Sequence, residues 1–215
     1  VRISTLMATI LLVFFSSTVL QAKNDNNVTR IDPKVLAKAK EEFVKKLGSK
    51  TAHLEIKEIK EGFIFNNQYD HVTLLVLWDK GCKSCIKQIP NLNRYYLDLR
   101  GKLDIIAVEL SGMSSKELQQ FAKDKKVLYT LLSGKENKQF VAAAMRKFGF
   151  GKDKNGQPKK EGLPFMVVMG YTGHTHAIIR GIPKDPADME RFLLKIVAYY
   201  EKKKAKEKTP LKVKP

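Results

Sequence analysis

The chain holds two cysteines, Cys82 and Cys85, three positions apart in LLVLWDKGCKSCIKQIP, residues 74–90. Sulfurs so placed could form a structural clip, half of a metal site, or a pair that carries electrons. As a clip they enclose only Lys83 and Ser84, and so short a loop removes little entropy from the unfolded chain. As metal ligands they could be joined by His174 and His176, which alternate along an expected strand. Zinc knuckles of this kind usually come with a second matched pair, however, and TGHTH reads as a turn. The third reading fits the surroundings best. A buried strand runs into WDKG, and Cys82 is expected at the start of the following helix, where unpaired N–H groups and the helix dipole favour an anion. Beside Lys80 and Lys83 a thiol there is expected to have a lowered pKa, within the roughly 3.5 to 7.5 span of such sites. Cys82 then attacks as a thiolate, and Cys85, one turn further in, resolves the mixed disulfide. This chemistry needs no cofactor and no metal.

The elements that must hold this pair are legible around it. HVTLLVLW (71–78) is a nearly continuous apolar run, which predicts a central strand covered on both faces. Residues 83–99 predict a helix with Ile89, Leu92, Tyr96 and Leu99 inward. LDIIAVEL (103–110) predicts a second buried strand, and Ser114 with Glu117 three residues on forms a capping box for the next helix. VLYTLL (127–132) reads as a short strand, and KENKQFVAAAMRKFG (135–149) as a helix. Residues 150–162 form a polar, basic, aperiodic loop. LPFMVVM, YTGHT and HAIIRG read as strand, turn and hairpin partner, followed by a closing helix. Upstream, 54–65 predict a short antiparallel pair at a sheet edge, and Asp32, Pro33 and Gly48 bracket a helix over 33–47. Strands alternating with helices argue an α/β sandwich with a central mixed sheet.

The first residues set the compartment. Arg2, an apolar run from Leu6 to Leu20 and the small Ala22 have the layout of a secretory signal peptide, residues 1–22. Leu20 is large for its place before the cleavage site, so an uncleaved N-terminal anchor is the competing reading; either exports the remainder. No other apolar run approaches the ~20 residues needed to span a bilayer. The chain carries 40 Lys and Arg against 22 Asp and Glu. Such a balance attracts acidic partners or an anionic surface. Nucleic acid is not expected, because the lysines are scattered without interleaved aromatics and export separates the protein from it.

Taken together, Trp78 four residues before Cys82, the C-K-S-C motif, Pro90 five residues after Cys85, and Leu163-Pro164 opening a strand resemble the exported TlpA/ResA/CcmG-like thiol-disulfide oxidoreductases of thioredoxin fold. The resemblance covers about residues 52–200. It implies a thioredoxin-like sandwich with a strand-helix insertion over about 111–149 and an N-terminal helix. The implied organisation is a leader or anchor (1–22), an N-terminal helical segment (23–51), the thioredoxin-like domain (52–201) and a basic mobile tail (202–215). It also implies a kink at Pro90, a cis peptide before Pro164, and substrate contacts from Trp78, Leu163 and Pro164. Two positions depart from the family. Val76 stands six residues before Cys82, where many relatives bury a carboxylate that assists the resolving thiol. Gln88 stands where some place a glutamate. Asp79, Lys80 or water remain for proton handling, and Asp79 equally suits a turn.

The resemblance implies a periplasmic reductant of disulfides in exported proteins, with the CxxCH motif of apocytochrome c as a candidate substrate and a membrane thiol reductase as electron donor. An uncleaved leader would tether it to the membrane. Lys83-Ser84 does not settle the direction. A potential near about −120 mV would make the protein an oxidase or isomerase of DsbA/DsbC type, and one near about −270 mV a reductase. A non-enzymatic thioredoxin-fold binding module, using the basic surface, is the alternative from another class.

Overall fold

The apolar and polar periodicities resolve into eleven elements in a computed structural model that describes residues 54–65, 71–151 and 162–208. All of these belong to one compact unit, Phe43–Pro215. In chain order they are β1 (Ile56–Ile59), β2 (Gly62–Phe65), β3 (Val72–Trp78), α1 (Lys83–Asp98), β4 (Leu103–Glu109), α2 (Ser115–Lys125), β5 (Thr130–Ser133), α3 (Lys138–Lys147), β6 (Phe165–Met169), β7 (Thr175–Arg180) and α4 (Pro186–Lys208). The leader expected over 1–22 and the helix expected over 33–47 lie outside the described residues, as do residues 152–161 of the stretch expected as a loop.

Five strands form one mixed sheet in the order β5-β4-β3-β6-β7, with β3 parallel to β4 and antiparallel to β6. Every residue of β3 and β6 is buried, because a central strand flanked on both faces has no side that meets water. β7, at one edge, alternates half-buried and exposed residues. Between β4 and β6 the chain inserts α2, β5 and α3, so the expected insertion extends the sheet by an edge strand. The mixed α/β sandwich expected from the sequence is the architecture observed.

β1 and β2 are antiparallel, as expected, but they form a separate two-stranded sheet rather than the edge of the main one. The aromatic side chains of β2 decide this. Phe63 and Phe65 turn towards α3, where both meet Phe140 edge-on, with ring centroids 4.9 and 5.8 Å apart. The ribbon is then stitched to the β6–β7 turn by Phe63 N–H donating to the Gly173 carbonyl (3.1 Å) and Thr175 N–H to the Glu61 carbonyl (3.0 Å). Gly62 permits the approach: a Cβ there would lie 1.9 Å from the Gly173 carbonyl oxygen.

Two expected details shift. In α1 it is Tyr95, 2% exposed, that faces the core and donates its hydroxyl to the Pro186 carbonyl at 2.8 Å, while Tyr96 is half-buried. With Cys85, Ile89 and Leu92 inward, the buried stripe continues through 95 at spacing three. At the C-terminus, α4 continues to Lys208, into the stretch expected as a tail. Its first turns are anchored by Met189, Leu193, Ile196 and Val197, and Lys, Glu and Ala extend an existing helix readily. Residues 209–215 lie outside the described residues. Among the described residues no helix is long and apolar enough to cross a membrane.

Candidate active site

The strand β3 delivers Trp78 to the C-terminal edge of the sheet, and a tight turn then reverses into α1. Asp79, 4% exposed, shapes the turn: its carboxylate accepts the Gly81 N–H at 2.6 Å and its carbonyl accepts the Cys82 N–H at 2.9 Å. The turn role expected for Asp79 is thus present. Cys82 is the N-cap of α1, one position ahead of the first helical residue, and its Sγ accepts the Cys85 N–H at 3.1 Å. A sulfur in that place faces the positive end of the helix dipole, so the helix favours its charged form.

Cys82 and Cys85 are joined as a disulfide with Cα atoms 5.3 Å apart. Cys82 is half-buried and Cys85 is 5% exposed. This asymmetry separates a sulfur that a partner can reach from one that only the first sulfur can. The Leu163-Pro164 peptide is cis, as the resemblance implied. The Leu163 carbonyl accepts a hydrogen bond from the Ser84 hydroxyl at 3.4 Å, which ties the loop before β6 to the cysteine motif. Pro90 lies inside α1, which continues through it.

Behind the disulfide is a small pocket whose lining includes Val76, Trp78, Cys85, Gln88, Tyr129 and Pro164. No carboxylate is among its lining residues, so the departure at Val76 is not made good by another acid in this pocket. Its lining residues with polar side-chain groups are Gln88, 8% exposed and accepting from Asn91 at 3.3 Å, Tyr129, and Trp78, whose buried indole N–H has no hydrogen-bond partner among the described residues. The indole ring itself packs on Phe121, centroids 5.0 Å apart.

Burial alone raises the Tyr129 phenol above its ordinary value of 10.0. A raised pKa means that the folded state holds this proton more tightly than the unfolded chain. Stability from this group is therefore fully present below about pH 10 and is lost as pH rises above it, at about 1.4 kcal/mol per pH unit. The Tyr129→Phe variant is expected to lose that part of the slope in urea midpoints measured between about pH 8 and 11. Equal slopes in the two proteins would remove burial of the phenol as the cause.

Of the residues singled out in the sequence, Trp78, Cys85 and Pro164 line one pocket, and Cys82 and Leu163 connect through Ser84. His174 and His176 do not join them. His174 lies beside Thr172 and Glu61, and the His176 ring packs against Tyr199 and Tyr200. Sequence reasoning missed Phe121 and Tyr129, which reach the site from α2 and the segment before β5. It also missed Glu109, whose buried carboxylate gathers the loop after β4. The signal for Glu109 was an acid at the end of an apolar strand, separated only by Leu110 from the turn residues SGMS.

A family model described as the AhpC/TSA family matches residues 37–173. The chain belongs to the AhpC/TSA family. The match runs from before β1 through the turn after β6 and so contains both cysteines and the cis-proline. No curated protein matches the chain. Among solved structures, a provisionally assigned thiol:disulfide interchange protein DsbE from Chlorobium tepidum is similar with a TM-score of 0.50 and 16% identity, over 70% of this chain and 96% of that one. A thiol:disulfide interchange protein from Bacteroides sp. gives 0.48 and 17%, over 70% and 90%. StoA from Bacillus subtilis gives 0.45 and 16%, over 66% and 97%. The fold of this AhpC/TSA member is thioredoxin-like, as expected.

Proposed function

We propose that this family member is a protein thiol-disulfide oxidoreductase that works as a reductant. The observation that carries the reading is the unequal pair: a reachable Cys82 capping α1, a buried Cys85 one turn in, and the cis Leu163-Pro164 peptide tied to the same motif. In the reduced protein, Cys82 attacks a substrate disulfide as a thiolate and forms a mixed disulfide, releasing one substrate thiolate. The Cys85 thiol gives up its proton and attacks the Cys82 sulfur. The internal disulfide closes and the second substrate thiolate leaves. Two electrons have passed from the dithiol to the substrate, whose thiolates take protons from solvent. Trp78, Leu163 and Pro164 contact the substrate strand.

The compartment in this reading is the periplasm, reached through the 1–22 leader or held there by it as a tether. The substrates are disulfides of exported proteins, among them the CxxCH motif of apocytochrome c, and a membrane thiol reductase restores the dithiol. The Chlorobium tepidum relative, described as a thiol:disulfide interchange protein, and the C-K-S-C motif support dithiol-disulfide exchange as the chemistry, while the reducing direction rests on the resemblance to the TlpA/ResA/CcmG-like group. A Cys85→Ser variant expressed in the periplasm is expected to accumulate mixed disulfides on Cys82, identifiable by mass spectrometry after alkylation. Capture of no exported protein would sink the reading.

A further inference from the structure

Ser84 lies between the two halves of the site and has one hydroxyl hydrogen for two acceptors. Its Oγ is 3.0 Å from Cys82 Sγ and 3.4 Å from the Leu163 carbonyl oxygen. In the disulfide neither sulfur carries a proton, so the hydroxyl is the donor in both contacts. A disulfide sulfur is a weak acceptor and a peptide carbonyl a good one, which directs the hydrogen to Leu163 in this state. The 3.4 Å length marks that bond as weak and easily given up. Reduction changes the competition. A Cys82 thiolate is a charged acceptor, and hydrogen bonds to ionised groups are roughly twice as strong as neutral ones. The same hydroxyl can then turn to sulfur by rotation about one bond and leave the Leu163 carbonyl open.

We propose that Ser84 is a redox-coupled positioning residue: its hydroxyl stabilises the Cys82 thiolate in the reduced protein and occupies the Leu163 carbonyl in the oxidised one. This rests on the oxidoreductase reading and adds a direction to it. The Leu163 carbonyl is a backbone acceptor beside the sulfurs, the kind of group an extended peptide uses to pair with a strand. Opened in the reduced state and covered in the oxidised state, it favours docking of a disulfide-bearing segment when electrons are available and its release once they have been passed on. Ser84 keeps its own proton throughout, so the electron and proton balance of the exchange is unchanged.

The test uses the full chain and its Ser84→Ala and Ser84→Thr variants, with folding checked by circular dichroism. Ser84→Ala loses a strong bond in the reduced form and a weak one in the oxidised form, so the reduced form suffers more. Its equilibrium with glutathione is expected to move about tenfold towards the disulfide, which corresponds to a potential more negative by about 30 mV. The pH at which Cys82 alkylation by iodoacetamide reaches half its maximal rate is expected to rise. A cysteine-free extended peptide derived from a trapped substrate is expected to bind the oxidised Ser84→Ala protein several-fold more tightly than the oxidised parent, with equal affinities for the two reduced forms. Ser84→Thr, which keeps the hydroxyl, is expected to restore all three readouts. An unchanged glutathione equilibrium and alkylation profile in Ser84→Ala, with exchange intact in the parent, would overturn the Ser84 proposal alone. Failure of the parent to exchange with glutathione would overturn the oxidoreductase reading beneath it.

Discussion

Replacing Cys82 by serine is expected to remove reduction of insulin disulfides by dithiothreitol down to the uncatalysed rate, a loss of roughly a thousandfold, or about 4 kcal/mol of transition-state stabilisation. The size follows from the site. Cys82 is the more exposed of the two sulfurs and the one that caps α1, so the helix terminus acts on it directly. A serine in the same place can still accept the Cys85 N–H, so the helix start and the fold should be kept. What disappears is the nucleophile, because an alcohol is not ionised near neutral pH. Cys85 cannot take over, since at 5% exposure it is out of reach of a protein disulfide. The contrast with Cys85→Ser is part of the prediction: that variant still performs the first attack and stalls as a mixed disulfide. Retention of parental turnover by Cys82→Ser would exclude covalent exchange at this sulfur.

The largest expected loss of stability comes from a residue that does no chemistry. Glu109 ends β4 fully buried, and its carboxylate accepts the N–H groups of Ser111 (2.8 Å), Gly112 (3.0 Å) and Met113 (2.9 Å), together with the Ser111 hydroxyl. Three successive backbone donors aimed at one acid form a concave anion site made by the chain itself. Glu109→Ala would leave those donors facing an apolar gap, at a cost of about 3 kcal/mol. That is a large share of the 5 to 15 kcal/mol typical of a whole domain, roughly stated. Glu109→Gln keeps one acceptor oxygen and the shape and should cost about half as much. Urea denaturation of the three proteins checks the order; a loss below about 1 kcal/mol in Glu109→Ala would show that water replaces the carboxylate. The same loop leads into the capping box of α2, which carries Phe121 onto Trp78, and Leu110 N–H bonds the Trp78 carbonyl at 2.8 Å. A loosened loop should therefore lower exchange activity as well as stability.

Much of this protein could be read along the chain because the signals were local. An unbroken apolar run such as 72–78 can only be comfortable between two covering layers, and β3 is buried throughout. Ser114 and Glu117 spell a capping box that forms as written. The C-x-x-C motif after a buried strand located the two sulfurs at the start of a helix, and the Leu163-Pro164 peptide is cis. Where the reading shifted, the deciding contacts came from elsewhere in the chain. The β1–β2 ribbon left the main sheet because Phe63 and Phe65 found Phe140, some seventy-five residues on. Tyr95 displaced Tyr96 from the core because its hydroxyl meets Pro186.

By itself, then, the sequence determined the motif, the strand that delivers it and the helix that begins at it, because periodicity, caps and turn residues act over a few neighbours. Long-range packing set how unequally the two sulfurs are covered, lined the pocket behind them with Gln88 and Tyr129 and no acid, and brought Ser84 to face Leu163 across 79 positions of sequence. Those are contacts between segments distant in the chain, made by a sheet that brings β3 and β6 side by side. No spacing rule encodes them, since they depend on which faces the core has already claimed.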